Sequence, residues 1–141
     1  MKNYLCLLCV VLFIACNGKK IVKADIDELY AAIPKDTLTE LLSIAQFPDS
    51  ILTVSQLATK KKINKLLKEH LTVVDNKFVL LAEVKDFEKA ELSKYYYIMY
   101  KKSFKDANRA IDSLGIQDLD EKFKKGSIEK GFTLYYSEDE K

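Results

Sequence analysis

The chain has 141 residues, 48% of them apolar and 31% charged, with 23 basic against 21 acidic side chains. That length holds one domain of ordinary size and hardly two, and two prolines, four glycines and no low-complexity tract exclude collagen-like and disordered chains. A net charge of only +2 argues against a dedicated polyanion binder.

The first element is a leader. Lys2 supplies a positive charge ahead of Tyr4 to Ala15, an apolar run of about a dozen residues where a bilayer-spanning helix needs about 20. Residues 1–15 therefore read as a secretory signal peptide and not as an anchor helix. Phe13-Ile14-Ala15-Cys16 at its end resembles the bacterial lipobox, in which a small residue precedes a cysteine that receives lipid and becomes the first mature residue. The resemblance covers only these first sixteen positions and implies a bacterial lipoprotein attached to a membrane through Cys16. In lipoproteins of enteric-type bacteria an aspartate after that cysteine signals inner-membrane retention; Asn17 stands there, so the resemblance further implies the outer membrane. Cys6 and Cys9 would leave with the leader and Cys16 would carry lipid, so no disulfide is expected and the mature domain rests on its core. Each buried lipid methylene contributes about 0.8 kcal/mol, so two or three acyl chains anchor stably. Residues 16–24 are then the lipidated cysteine and a tether, in which Asn17 to Lys23 spans at most about 25 Å.

Residues 25–141 read as a single helix-dominated α+β domain. Ile26, Leu29, Tyr30 and Ile33 recur at helical spacing until Pro34 closes a short first helix. Thr37-Leu38-Thr39-Glu40 has the spacing of a capping box and opens a second helix to about Gln46. After a Phe47-Pro48-Asp49-Ser50 turn, Ile51 to Val54 reads as extended, and Ser55 as the cap of a basic third helix with the apolar stripe Ile63, Leu66, Leu67, His70 and Leu71. A β-hairpin follows over about 71–84, its β-branched runs parted by Asp75-Asn76-Lys77. From Asp86 the heptad spacing of Ala90, Ser93, Tyr97, Tyr100, Phe104, Ala107, Ile111 and Leu114 predicts one long helix, about 87–114, ended by Gly115. Leu92, Tyr95, Tyr96 and Met99 widen its apolar face in the first half, which predicts burial there against more than one neighbour. A short helix near 118–125, a C-terminal strand from Phe132 to Tyr136 and an acidic tail complete the chain.

The lone histidine limits the chemistry, because a nucleophile–base pair or a histidine-rich metal site has only His70 to use. His70 falls on an apolar stripe, where a hydrogen-bonded core residue is the commoner role. Asp86, Glu88 and Glu91 cluster near a helix start, which helix electrostatics alone favours. No glycine-rich phosphate loop is present, and no catalytic residue, cofactor or metal site is assigned. Tyr95, Tyr96, Tyr97 and Tyr100 span nearly every direction around a helix, so at least one should be partly exposed as a partner contact. Ile51 to His70 with the following hairpin loosely resembles a winged helix-turn-helix. The near-neutral charge, the single Arg109 and the export signal argue against nucleic acid as a partner. The expectation is a lipid-anchored envelope protein, non-catalytic, binding another envelope protein as an adaptor. An inhibitor or immunity-type protein is the first alternative and a small envelope enzyme the second.

Overall fold

The computed structural model describes residues 24–125. The expected signal peptide and tether, with Cys16, the strand expected over 132–136 and the acidic tail lie outside the described residues. Within them, six helices and one hairpin follow one another: α1 (Ile26–Ala31), α2 (Lys35–Gln46), a 3-10 turn (Asp49–Ile51), α3 (Val54–His70), β1 (Leu71–Val74), β2 (Lys77–Leu80), α4 (Val84–Lys89), α5 (Lys94–Leu114) and α6 (Leu119–Lys125). This is the helix-dominated α+β fold expected from the sequence.

Local chemistry fixes the boundaries, and several differ from those the spacing predicts. Asp25 caps α1 by accepting from the Asp27 amide. Pro34, with φ preset at −56°, precedes the first residue of α2, so the helix starts at Lys35 and the expected Thr37–Glu40 capping box does not form. Thr39 and Ser43 hydroxyls instead donate back to the carbonyls of Lys35 and Thr39. The capping box of α3 is made two residues earlier than Ser55: the Gln56 amide donates to Thr53 Oγ1, and the Thr53 amide donates to Gln56 Oε1. Residues 49–51 form a 3-10 turn that takes in Ile51, so of the segment expected to be extended over 51–54 only Leu52 and Thr53 are extended before α3 begins; Lys60 ties the turn down by binding the Phe47 carbonyl at 2.8 Å and Asp49 at 2.9 Å.

The hairpin pairs Val74 with Lys77 across Asp75 and Asn76, whose φ values of 51° and 59° are those a two-residue type I′ turn requires. Its second strand ends at Leu80, short of the expected residue 84, because Glu83 and Asp86 form a reciprocal capping box that starts α4.

The predicted rod over 87–114 is two helices. Phe87 belongs to α4, which ends in a Schellman motif: the Leu92 amide reaches the Phe87 carbonyl at 2.9 Å and the Glu91 amide reaches that of Glu88 at 2.9 Å. Glu91 holds the left-handed position at φ 58°, and Ser93 then caps α5. The same motif closes α5 with Gly115 at φ 62° and the Ile116 amide on the Ile111 carbonyl. In both cases the residue after the left-handed one returns to the core, Leu92 at 5% exposure and Ile116 half-buried.

One continuous core results, with Phe87, Ile63 and Leu67 its most deeply buried side chains. α5, about 31 Å long, is its axis, touching α1, α4 and β2. In its first half Tyr96, Ile98 and Met99 are all buried, as expected for several neighbours. In its second half Phe104 and Ile111 continue the stripe, but Leu114, expected to do so, is 74% exposed. Phe78 of β2 locks the hairpin onto this axis, with its ring 5.9 Å from Phe104 and 5.5 Å from Phe123.

Candidate functional site

The tyrosine turn at the start of α5 divides between core and rim. Tyr96 is buried, and desolvation pushes its hydroxyl pKa up to about 12. Tyr97 is half-buried and meets Phe87 edge-on at 5.8 Å, while Tyr100 stacks on Phe104 at 6.2 Å and is pushed higher still by burial. Tyr95 is half-buried, with the Lys94 ammonium 5.6 Å from its ring centre. Tyr95, Tyr97 and Tyr100 therefore keep partly accessible surface, and Tyr96 keeps almost none.

An open groove of about 470 Å³ lies between the last turns of α3 and the corner from α4 to α5. Its walls bring His70 and Lys65 of α3 opposite Asp86 and Lys89 of α4, with Lys62 and Glu91 at one side. The histidine and two of the carboxylates singled out in the sequence thus meet, whereas Glu88 does not line the groove. Both carboxylates are already engaged. Asp86 accepts the Glu83 amide at 2.9 Å, and this bond first, then the charges of Lys89, His70 and Lys85, holds its carboxyl below the usual carboxylate range. Glu91 is held low by its hydrogen bond and ion pair with Lys62. Carboxylates kept ionised in this way act as acceptors and anchors and not as proton donors near neutrality. The groove is therefore suited to hold a small charged or hydrogen-bonding group. Among the described residues no three histidine, cysteine or acidic side chains are placed to hold a metal ion.

Three features escaped the sequence reading. The first is an ion network joining α1 to α5: Lys105 Nζ lies 3.0 Å from Asp25 and 2.6 Å from Asp27, Lys102 pairs with Asp27 and Asp106, and Arg109 approaches both of those acids. Lys102 also sits 5.8 Å from the Tyr30 ring centre. The second is a pair of asparagines. Asn108 Oδ1 accepts the Phe78 amide at 2.8 Å and its Nδ2 donates to the Phe78 carbonyl at 2.9 Å. Asn76 does the same for the link after α5, donating to the Ile116 carbonyl and accepting from the Leu119 amide. A polar side chain at position 108, one turn from both Phe104 and Ile111 on the apolar face, is the signal that marks a hydrogen-bonded partner. The third is an apolar tip between α2 and α3, where Phe47, Ile51 and Val54 are 46%, 62% and 89% exposed.

Among the described residues no helix is long and apolar enough to cross a membrane. No family model, curated protein or solved structure matches the chain.

Proposed function

We propose that the protein is a lipid-anchored bacterial envelope lipoprotein whose domain is a non-catalytic binding or adaptor module for another envelope protein. The observation that carries the reading is the sequence Phe13-Ile14-Ala15-Cys16 at the end of a leader too short to span a bilayer. Support for a binding role over a catalytic one comes from the groove, where Asp86 serves a helix cap and Glu91 an ion pair. Tyr95, Tyr97 and Tyr100 remain the proposed partner contacts, since tyrosine offers an apolar body with a polar end.

The test is the intact mass of the protein recovered from the membrane fraction of a bacterial host. A chain beginning at Cys16 and carrying acyl mass is expected, and Cys16→Ala is expected to leave the membrane fraction. A full-length unmodified chain in the cytosol would overturn the proposal. Crosslinking of the anchored protein then identifies the partner: a stable assembly protein supports the adaptor role, and a toxin or hydrolase would replace it with an inhibitor.

A further inference from the structure

We infer that the outward face of α3, together with the apolar tip that precedes it, docks on an anionic lipid surface. Successive residues of a helix turn by about 100°, which places Val54, Ala58, Lys61, Lys65 and Lys68 within one narrow stripe. All five are exposed, and they stand opposite the buried Ile63, Leu66 and Leu67. Lys61, Lys65 and Lys68 make no ion pair among the described residues, unlike Lys60 and Lys62, which hold Asp49 and Glu91. Val54 heads this cationic stripe, and with Phe47 and Ile51 in the segment that leads into α3 it makes three large apolar side chains exposed within eight residues of chain. An apolar tip beside a row of free lysines matches the interfacial region of a bilayer, where apolar side chains enter among the acyl chains and ammonium groups meet phosphate.

The inference rests on the lipid-anchor reading, which supplies the reason for a lipid occupant over a protein one. A tether of at most about 25 Å is no longer than the domain is wide, given a radius of gyration near 13 Å for about 100 residues. The domain then has to present some face to the bilayer at close range. The α3 face combines unpaired positive charge with exposed apolar surface, so it is favoured electrostatically and by burial. Each lysine near an anionic surface shifts the docking equilibrium about fivefold, so three shift it about a hundredfold at low salt.

The experiment uses the full chain reconstituted in vesicles, with an environment-sensitive fluorophore on Ile51→Cys and, separately, on Leu114→Cys, which is somewhat more exposed and lies at the far end of α5. The expected result is a blue-shifted, lipid-quenched signal at position 51 in phosphatidylglycerol/phosphatidylcholine vesicles and none at position 114. The signal should fade in pure phosphatidylcholine, at molar salt, and in the K61Q/K65Q/K68Q variant, whose unchanged melting temperature reports an intact fold. Equal solvent exposure at positions 51 and 114 in anionic vesicles would overturn the inference. So would a shift indifferent to anionic lipid, one that follows protein density and so reports a second copy, or one that appears only when envelope proteins are added. The mass of the same preparation reads the anchor separately. If the chain carries no acyl groups the anchor reading fails, and position 51 of that chain with Cys6, Cys9 and Cys16 changed to Ser, so that the label sits only there, still decides the docking face in the same vesicles.

Discussion

Asn108→Ala removes the side chain that satisfies both outward backbone groups of Phe78. In an antiparallel pair with this register Thr72 and Val79 exchange hydrogen bonds, so the amide and carbonyl of Phe78 point away from β1. Asn108 meets both at 2.8 and 2.9 Å in a partly buried setting and so stands in for a third strand one residue long. Its loss strands a donor and an acceptor at about 1–3 kcal/mol each, less whatever water recovers at the rim, for a total of about 3 kcal/mol. For a domain of about 100 residues that lowers Tm by about 12–24 °C. Urea unfolding followed by far-UV circular dichroism measures it, with an unchanged m-value showing that the native state stays compact. Asn108→Asp sharpens the test, since a carboxylate keeps the acceptor for the Phe78 amide but opposes the Phe78 carbonyl. That carboxyl should titrate above its ordinary value in the folded state, so its extra destabilisation relative to Asn108→Ala should diminish as pH falls through that raised value. A loss below about 0.5 kcal/mol for Asn108→Ala would refute the edge-satisfying role.

The remaining predictions concern charge and backbone. Asp25 and Asp27 are both held below their ordinary 3.8 by hydrogen bonds from Lys105. Depressed carboxylates stabilise the fold above their unfolded pKa and lose that contribution as pH falls through the folded value, so the α1 clamp should weaken below about pH 4. Melts across pH should show a shallower acid limb in the Asp25→Asn/Asp27→Asn double variant, and an identical limb would contradict the network's role. Glu91→Gly should keep or raise Tm, because relief of a left-handed backbone worth about 1 kcal/mol offsets loss of the exposed Lys62 pair, whereas Glu91→Val should lower it. Equal melting temperatures for those two variants would remove the backbone argument. Tyrosine absorbance titration should show Tyr96 ionising near 12, ahead of Tyr100, and Tyr96→Phe should delete that step while the Tyr100 step remains.

What the sequence made legible follows whether a signal was local. Gly115 announced the end of α5 because glycine is the residue that fits a left-handed backbone most readily. Glu91 does the same task at the end of α4 with no such mark, so the spacing of apolar residues ran through the break and suggested one rod. Asp75 and Asn76 were readable as a turn, but the reach of the Asn76 side chain to Ile116 and Leu119, forty and more residues on, is a tertiary fact. Thr37–Glu40 carried a capping signature that Pro34 pre-empted. In the groove, His70 and Asp86 each invited attention separately, and only the turn of chain through the hairpin brings them together. The basic character of α3 was plain, yet which of its lysines are engaged depends on Asp49 and Glu91, from outside the helix.

The clamp on α1 also has a mechanical meaning. Whatever pulls on the chain ahead of Asp25 loads α1 first, a six-residue helix that buries no residue fully and is held by ion pairs to α5 and by the partly buried Ile26 and Tyr30. Freeing α1 takes only those exposed ion pairs and the packing of Ile26 and Tyr30 against the core, while Phe87, Ile63 and Leu67 stay sealed. The first helix is in this sense a link that yields ahead of the core when the chain before it is pulled.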